Sequence, residues 1–326
     1  MAIYLITGIA GFIGSSLARA VLAQGDEVRG VDNFSTGKRA NLDGIVGKID
    51  LREVDLLDLE AIKNACRGVD YIFHEAAIPS VPKSVLDPLG SNRANIDGTV
   101  HLLIAARDAK VKRVVYAASS SAYGDTPTLP KHEGMFPNPN SPYAVAKLAG
   151  EYYMTSFYRC YGLETVSLRY FNIFGPRQDP TSPYSGVLAK FITQMLNGEP
   201  PTIFGDGAQS RDFTYIQNAV DANLLAIKAP ASQAAGKVFN VATGKRANLN
   251  QAFQLLKQIT GYTGDVKYEP ERSGDVKHSL ADLSRTEKHL GYKPTIDFEE
   301  GLRQTVEWYR EQSAKAGKPA PQKVAP

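Results

Sequence analysis

IYLITGIAGFIGSSLARAVLAQGDEVRGVD, residues 3–32, is the stretch from which the fold can be read. Residues 3–7 are a short apolar, partly β-branched run of the kind that forms a buried parallel strand. Gly8, Gly11 and Gly14 follow, then a segment of helical periodicity closed by Gly25. A second strand, 27–31, ends at Asp32. Strand, glycine turn, helix, strand and acid is the order that binds a dinucleotide. Glycines let the backbone approach a pyrophosphate, and the helix start, at Phe12 and Ile13, offers it free N–H groups. The Asp32 carboxylate accepts from ribose hydroxyls and repels a 2′-phosphate, so the spacing points to NAD and not NADP.

Downstream, SPYAVAK (141–147) carries the one tyrosine of the chain with a lysine four residues later. On a helix such positions share a face, so the Lys147 ammonium is expected to favour ionisation of the Tyr143 phenol and make it a usable base.

The alternation continues. Strands are expected at 48–54, 71–74, 113–118 and 164–170, with helices at 57–67, 92–110 and 143–162. This predicts an α/β, Rossmann-type doubly wound parallel sheet over residues 1–175. Beyond it, loops rich in Pro and Gly carry helices near 184–197, 216–228, 249–260 and 298–312. These build a smaller C-terminal lobe over 176–312, and a strand at 237–242 rejoins the first sheet. Residues 313–326 hold too few apolar side chains to pack and read as a disordered tail.

Composition sets bounds. A makeup that is 43% hydrophobic and 22% charged suits a globular enzyme, and the +3 net charge, with no basic run, gives no reason to expect nucleic acid. Apolar stretches are strand-length, and the first strand leaves no room for a signal peptide, so neither a membrane span nor export is expected. Cys66 and Cys160 read as free thiols of a cytoplasmic protein, and no ligand spacing calls for a metal. His74 and His278 read as structural.

Together with Asp55-Leu56, Ala76-Ala77, Asn95, the serines 119–121 before AYG (122–124), and RYFNIFGP (169–176), these landmarks resemble the extended short-chain dehydrogenase/reductases. Within that family the chain is most similar to nucleotide-sugar 4-epimerases. SVPKS (80–84), RQDP (177–180), SRDF (210–213) and RSGD (272–275) draw it toward bacterial UDP-N-acetylglucosamine 4-epimerases.

The resemblance implies NAD-dependent 4-epimerisation of a UDP-sugar through a transient 4-keto sugar, by a homodimer paired through a four-helix interface. Leu148, Tyr152 and Phe157 are apolar residues on the Tyr143 helix that allow such pairing. It assigns catalysis to Tyr143, Lys147 and a hydroxyl of the serine cluster, Ser119 first and Ser120 second. To NAD it assigns Gly8, Gly11, Phe12, Ile13, Gly14, Asp32, Asn33, Ser35, Thr36, Gly37, Asp55, Leu56, Ala76, Ala77, Asn95, Tyr143, Lys147 and Tyr170. To the UDP-sugar it assigns Ser80, Ser121, Asn172, Gln178, Arg211, Arg272, Asp275 and Ser279. Ser279 aligns with a gate position, where a small residue leaves room for an N-acetyl group. A 4,6-dehydratase would need an acid pair where Ser120 and Ser121 stand. A UDP-glucuronate 4-epimerase or decarboxylase differs only in contacts to C6, and a chemically silent NAD-binding regulator should lack Tyr143 or Lys147. Pro79 departs from the Gly or Lys of related epimerases.

Overall fold

In the computed structural model, which describes residues 1–180, 186–271 and 277–315, the doubly wound sheet is present. Strands β1 (Ile3–Thr7), β2 (Glu27–Asp32), β3 (Asp50–Glu53), β4 (Tyr71–His74), β5 (Arg113–Ser119) and β6 (Glu164–Tyr170) join the strand Lys237–Val241. From one edge the order is Lys237–Val241, β6, β5, β4, β1, β2, β3, every pair parallel. The chain winds outward from β1 through β2 to β3, then returns to β4 on the other side of β1. That reversal opens a crevice at the carboxyl ends of β1 and β4, where open α/β sheets bind ligands.

Both faces are covered, which is why β5 reads as a continuous apolar run. Helix α1 (Phe12–Ala23) and the helix Ile216–Lys228 cover one face, packing Leu17, Ala18 and Val21 into the core that holds Ala219 and Val220. Helix α2 (Leu59–Cys66), Gly98–Asp108 and Pro142–Tyr161 cover the other with Ile62, Leu102, Met154 and Phe157. Phe157 therefore belongs to the core and not to a subunit surface, correcting the expectation for it.

The helix Pro142–Tyr161 is bounded by local chemistry. Ser141 Oγ accepts from Ala144 N at 3.2 Å, Pro142 fills the first helical position, and Gly162 ends the helix at φ 72°. The helix expected at 92–110 is instead Pro88–Asn92 and Gly98–Asp108 joined by a π turn, Arg93–Asp97, that turns Asn95 toward the loop after β4. Past residue 175 the chain forms small two-stranded sheets and the helices Val187–Leu196, Leu249–Thr260 and Phe298–Lys315. The last of these runs beyond 312, so residues 313–315 are helical where a tail was expected. The rest of that tail lies outside the described residues.

Candidate active site

The glycine turn is built for close approach. Gly8 has φ +68°, and a Cβ there would meet the Ala76 backbone at 2.8 Å; one on Gly14 would lie 2.3 Å from the Gly8 carbonyl oxygen. The first turn of α1 has Gly11 as its N-cap and no side-chain cap, leaving its N–H groups to an anion. Asp32 is buried; its Oδ2 accepts from Ala10 N at 2.9 Å and its Oδ1 from Phe34 N at 2.8 Å. Burial pushes this carboxyl up, and the two amides pull it back. Asn33 Nδ2 donates to Asp55 Oδ2 at 2.8 Å, tying the loops after β2 and β3 together. The cleft so formed has a volume of about 670 Å³. Its walls include every residue assigned above to NAD except Asn95.

Asn95 works from behind the wall: its Oδ1 accepts from Ile78 N at 2.9 Å, and its Nδ2 donates to Ser91 Oγ at 3.3 Å. It shapes the 76–80 loop without lining the cleft. Next to it, Thr99 Oγ1 donates to Asn95 O at 2.7 Å, so it must accept from His74 Nε2 at 2.9 Å. That leaves His74 Nδ1 to accept from Thr7 Oγ1 at 2.8 Å. Burial lowers the imidazole to about 3, which keeps it neutral in this wire. His74 is structural, as its sequence position implied.

Ser119, Tyr143 and Lys147 line the same cleft. Ser119 Oγ accepts from Ser121 Oγ at 2.8 Å and Ser121 N at 3.2 Å, which leaves its own proton for the Tyr143 phenol. Ser120 and Ser121 do not line the cleft; Ser121 orients Ser119 instead. Burial pushes the Tyr143 phenol up from its ordinary value, and the Ser119 hydrogen bond pulls it back. Lys147 Nζ reaches β5, an inner strand of the sheet, where it donates to Ala117 O at 2.8 Å and lies 4.9 Å from the centre of the Tyr116 ring. Burial brings this ammonium down to about 8, while Glu75 and then Glu151 pull it up.

Glu75 escaped the sequence reading because it sits between His74 and the alanine pair with no spacing signal of its own. It lines the cleft, and its Oε1 accepts from Tyr170 Oη at 2.9 Å. Arg177, also unassigned, lines the same cleft, has φ 71°, and donates from Nη2 to Ser16 Oγ of α1 at 3.1 Å.

Asn172, Ile173, Gln178 and Gly186 form walls of this cleft and equally of a second cavity of about 580 Å³, so the two adjoin. Phe204, Phe213 and Arg211 line the second cavity, and Ser80 lines the first. Ser279 lines neither: its Oγ accepts from Asn172 Nδ2 at 3.2 Å and Asp212 N at 3.3 Å. It holds Asn172, whose φ of 39° is one that asparagine tolerates. Arg272 and Asp275 lie outside the described residues.

A glycine turn, an acid at the end of β2 and a Tyr/Lys/Ser corner share one cleft, and residues 4–242 match the model of the NAD dependent epimerase/dehydratase family. The chain belongs to that family. It is 37% identical over 313 residues, 95% of this chain and 99% of the other, to a UDP-glucose 4-epimerase of Mycolicibacterium smegmatis. A UDP-N-acetylglucosamine 4-epimerase from Methanobrevibacter ruminantium, solved with UDP-N-acetylmuramic acid, superposes with a TM-score of 0.90 at 43% identity, covering 95% of this chain and 99% of that one. A Thermus thermophilus UDP-glucose 4-epimerase solved with NAD gives 0.86 at 36% identity, over 94% and 99%. The protein is thus an enzyme of the NAD-dependent UDP-sugar epimerase/decarboxylase family, and NAD is its cofactor. Among the described residues no helix is long and apolar enough to cross a membrane, and no group of His, Cys, Asp and Glu could hold a metal ion.

Proposed function

We propose that the protein interconverts UDP-N-acetylglucosamine and UDP-N-acetylgalactosamine at C4, and UDP-glucose and UDP-galactose alongside. The observation that carries this reading is the adjoining of two cavities, one with the Ser119, Tyr143 and Lys147 corner, the other with Arg211 and aromatic walls. A sugar tethered by its nucleoside diphosphate in the second cavity reaches the corner past Asn172 and Gln178. The Arg211 guanidinium suits a diphosphate, and the aromatic walls suit a base.

Bound NAD supplies reversible oxidation at C4. Tyr143, as phenolate, takes the 4-hydroxyl proton and later returns one, and Ser119 donates to the sugar O4 to position it. Lys147 holds positive charge beside them. Turnover to the epimer requires the free sugar to rotate while the diphosphate stays fixed. The basis for including N-acetylated sugars is the small residue, Ser279, at the gate position that the resemblance implies; its hydroxyl holds Asn172, which walls both cavities.

Incubation with NAD and each of UDP-N-acetylglucosamine, UDP-glucose and UDP-glucuronate, with products resolved by NMR, tests this. Formation of UDP-N-acetylgalactosamine without net NADH supports it. Conversion of UDP-glucuronate alone, to its 4-epimer or to a pentose, would replace it.

We infer further that the enzyme works as a homodimer. Val85, Leu86 and Leu89 stand exposed beside Val145, Tyr152 and Tyr153 of the Tyr143 helix, an apolar patch of the kind that subunit contacts cover. Sedimentation of the wild type and of Leu86→Asp tests the pairing; a wild type that sediments as a monomer rules it out.

A further inference from the structure

Arg211 lines the second cavity from the short strand Ser210–Arg211, which pairs antiparallel with Ala247–Asn248. So short a strand does not fix a long side chain by itself. Side chains alternate along extended backbone, and the next residue, Asp212, lines neither cavity and is fully buried. Its carboxylate gathers donors from two segments far apart in the chain. Oδ1 accepts from Thr243 N at 2.8 Å and from Thr243 Oγ1 at 2.7 Å. Oδ2 accepts from Gly244 N at 3.0 Å and from Ala281 N at 3.2 Å. An ionised carboxylate is acceptor-only, so it meets all of these donors without presenting a proton of its own, which an amide could not do. Burial pushes this carboxyl up, and the same donors pull it back.

The segments so gathered are those that build the substrate side. Thr243 and Gly244 follow the strand Lys237–Val241 at the edge of the large sheet, and Val241 O accepts from Phe171 N at 3.0 Å, just before Asn172. The 277–281 segment runs beside Ser210, whose N–H donates to Lys277 O at 2.9 Å and whose carbonyl accepts from Ser279 N at 3.0 Å. Arg211 Nη1 donates to Ser210 O at 3.0 Å and to Lys277 O at 3.1 Å, so its guanidinium is held by the segment that Asp212 ties down. The Asp212 backbone completes the set: its N–H donates to Ser279 Oγ at 3.3 Å, and its carbonyl accepts from Asn172 Nδ2 at 3.4 Å.

We propose that Asp212 is a positioning residue for the UDP-sugar: its buried carboxylate fixes Arg211 in the second cavity and Asn172 at the wall shared by both cavities. Donors set in place before the ligand arrives bind a diphosphate more tightly than donors that must be ordered on binding. Asp212 acts only through these neighbours. The role rests on the reading above, in which the second cavity takes the nucleoside diphosphate.

The experiment compares two ligands on one protein. UDP is titrated calorimetrically into the NAD-saturated enzyme, and NAD into enzyme without UDP, at a temperature at which circular dichroism shows each variant folded. In Asp212→Asn an N–H group replaces one acceptor and faces donors, so the Kd for UDP should rise at least ~10-fold while that for NAD stays within about twofold. In turnover, KM for the UDP-sugar should rise at least ~10-fold with kcat within about threefold. A role confined to holding the fold would lower the melting temperature and leave both affinities of the folded protein as they are. That result in Asp212→Asn overturns the proposal, as does a loss of NAD affinity as large as the loss for UDP. Thr243→Val, which removes one donor to Oδ1, should raise the UDP Kd by about threefold. It serves if Asp212→Asn does not fold, and an unchanged UDP Kd in it then overturns the proposal. A wild type that binds NAD but not UDP overturns the reading of the second cavity and the role of Asp212 with it. A wild type that binds UDP leaves that reading standing, whatever the variants show.

Discussion

Lys147 Nζ donates to the carbonyl oxygen of Ala117 at 2.8 Å, so the lysine is anchored to the end of β5 and not to the tyrosine one helical turn before it. The two functional groups of the pair are therefore set by different elements. Tyr143 is fixed through its own backbone N–H, which donates to Ser84 Oγ at 3.0 Å, and through the Ser119 hydroxyl.

Tyr143→Phe removes the proton acceptor and little volume. NAD and UDP should bind as in the wild type, while turnover falls by at least ~10². Lys147→Ala should lose activity as well and also weaken NAD binding. Near wild-type epimerisation by Tyr143→Phe, followed by product NMR, would sink the assignment of the base.

Asp32 is held by two backbone amides and walled by Gly37, whose Cβ would approach Asp32 Oδ1 at 2.8 Å. The carboxylate is thus fixed at the end of β2, where the assignment predicts contact with a ribose and repulsion of a 2′-phosphate. Calorimetry should give much tighter binding of NAD than of NADP, and Asp32→Ala should narrow the gap. Equal affinities in the wild type contradict the assignment.

Ser279→Tyr should abolish turnover of N-acetylated sugars while sparing UDP-glucose. The structure adds a consequence: the substitution also removes one of the two acceptors of Asn172 Nδ2, leaving Asp212 O at 3.4 Å, so UDP-glucose kinetics should show a raised KM with kcat little changed. Unimpaired UDP-N-acetylglucosamine turnover by the variant would remove the gate.

His74 gives a prediction about stability. Its folded-state pKa, about 3, lies below its ordinary 6.5, so between those values the unfolded chain binds more protons than the folded one. Its contribution is complete above 6.5 and is lost as pH falls toward 3, at most about 5 kcal/mol in all. Glu75 acts in the opposite sense, since its carboxyl is raised from 4.5 to about 7 and its penalty grows as pH rises through that window. Urea unfolding should therefore show His74→Asn losing less stability than the wild type between pH 6.5 and 5. Parallel curves would mean that the His74 pKa is not depressed.

The sheet was legible because its signals are local. The glycine spacing, the apolar runs of β1 and β5, and the Ser141-Pro142 start of the Tyr143 helix each act within a few residues. The cleft walls followed for the same reason, since the βαβ order carries its own ligand geometry. Asn95 lies behind the cleft wall because a π turn rotates its side chain to the loop at Ile78, and no periodicity announces an extra residue in a helix. Ser279 could be aligned, but that its hydroxyl meets Asn172 depends on a contact 107 residues away in sequence.

By itself, then, the sequence determined the βαβ frame and the cofactor type and pointed to Tyr143, Lys147 and a hydroxyl of the serine cluster, because backbone approach, helix register and one carboxylate are properties of short segments. Only the tertiary structure decided the electrostatics of that corner. It turned Lys147 to Ala117, brought Tyr170 and Asn223 onto Glu75, and engaged Glu151 with Arg169. Protonation states depend on burial and on charges a few ångströms away, and in a parallel sheet those neighbours come from strands and helices far apart in the chain.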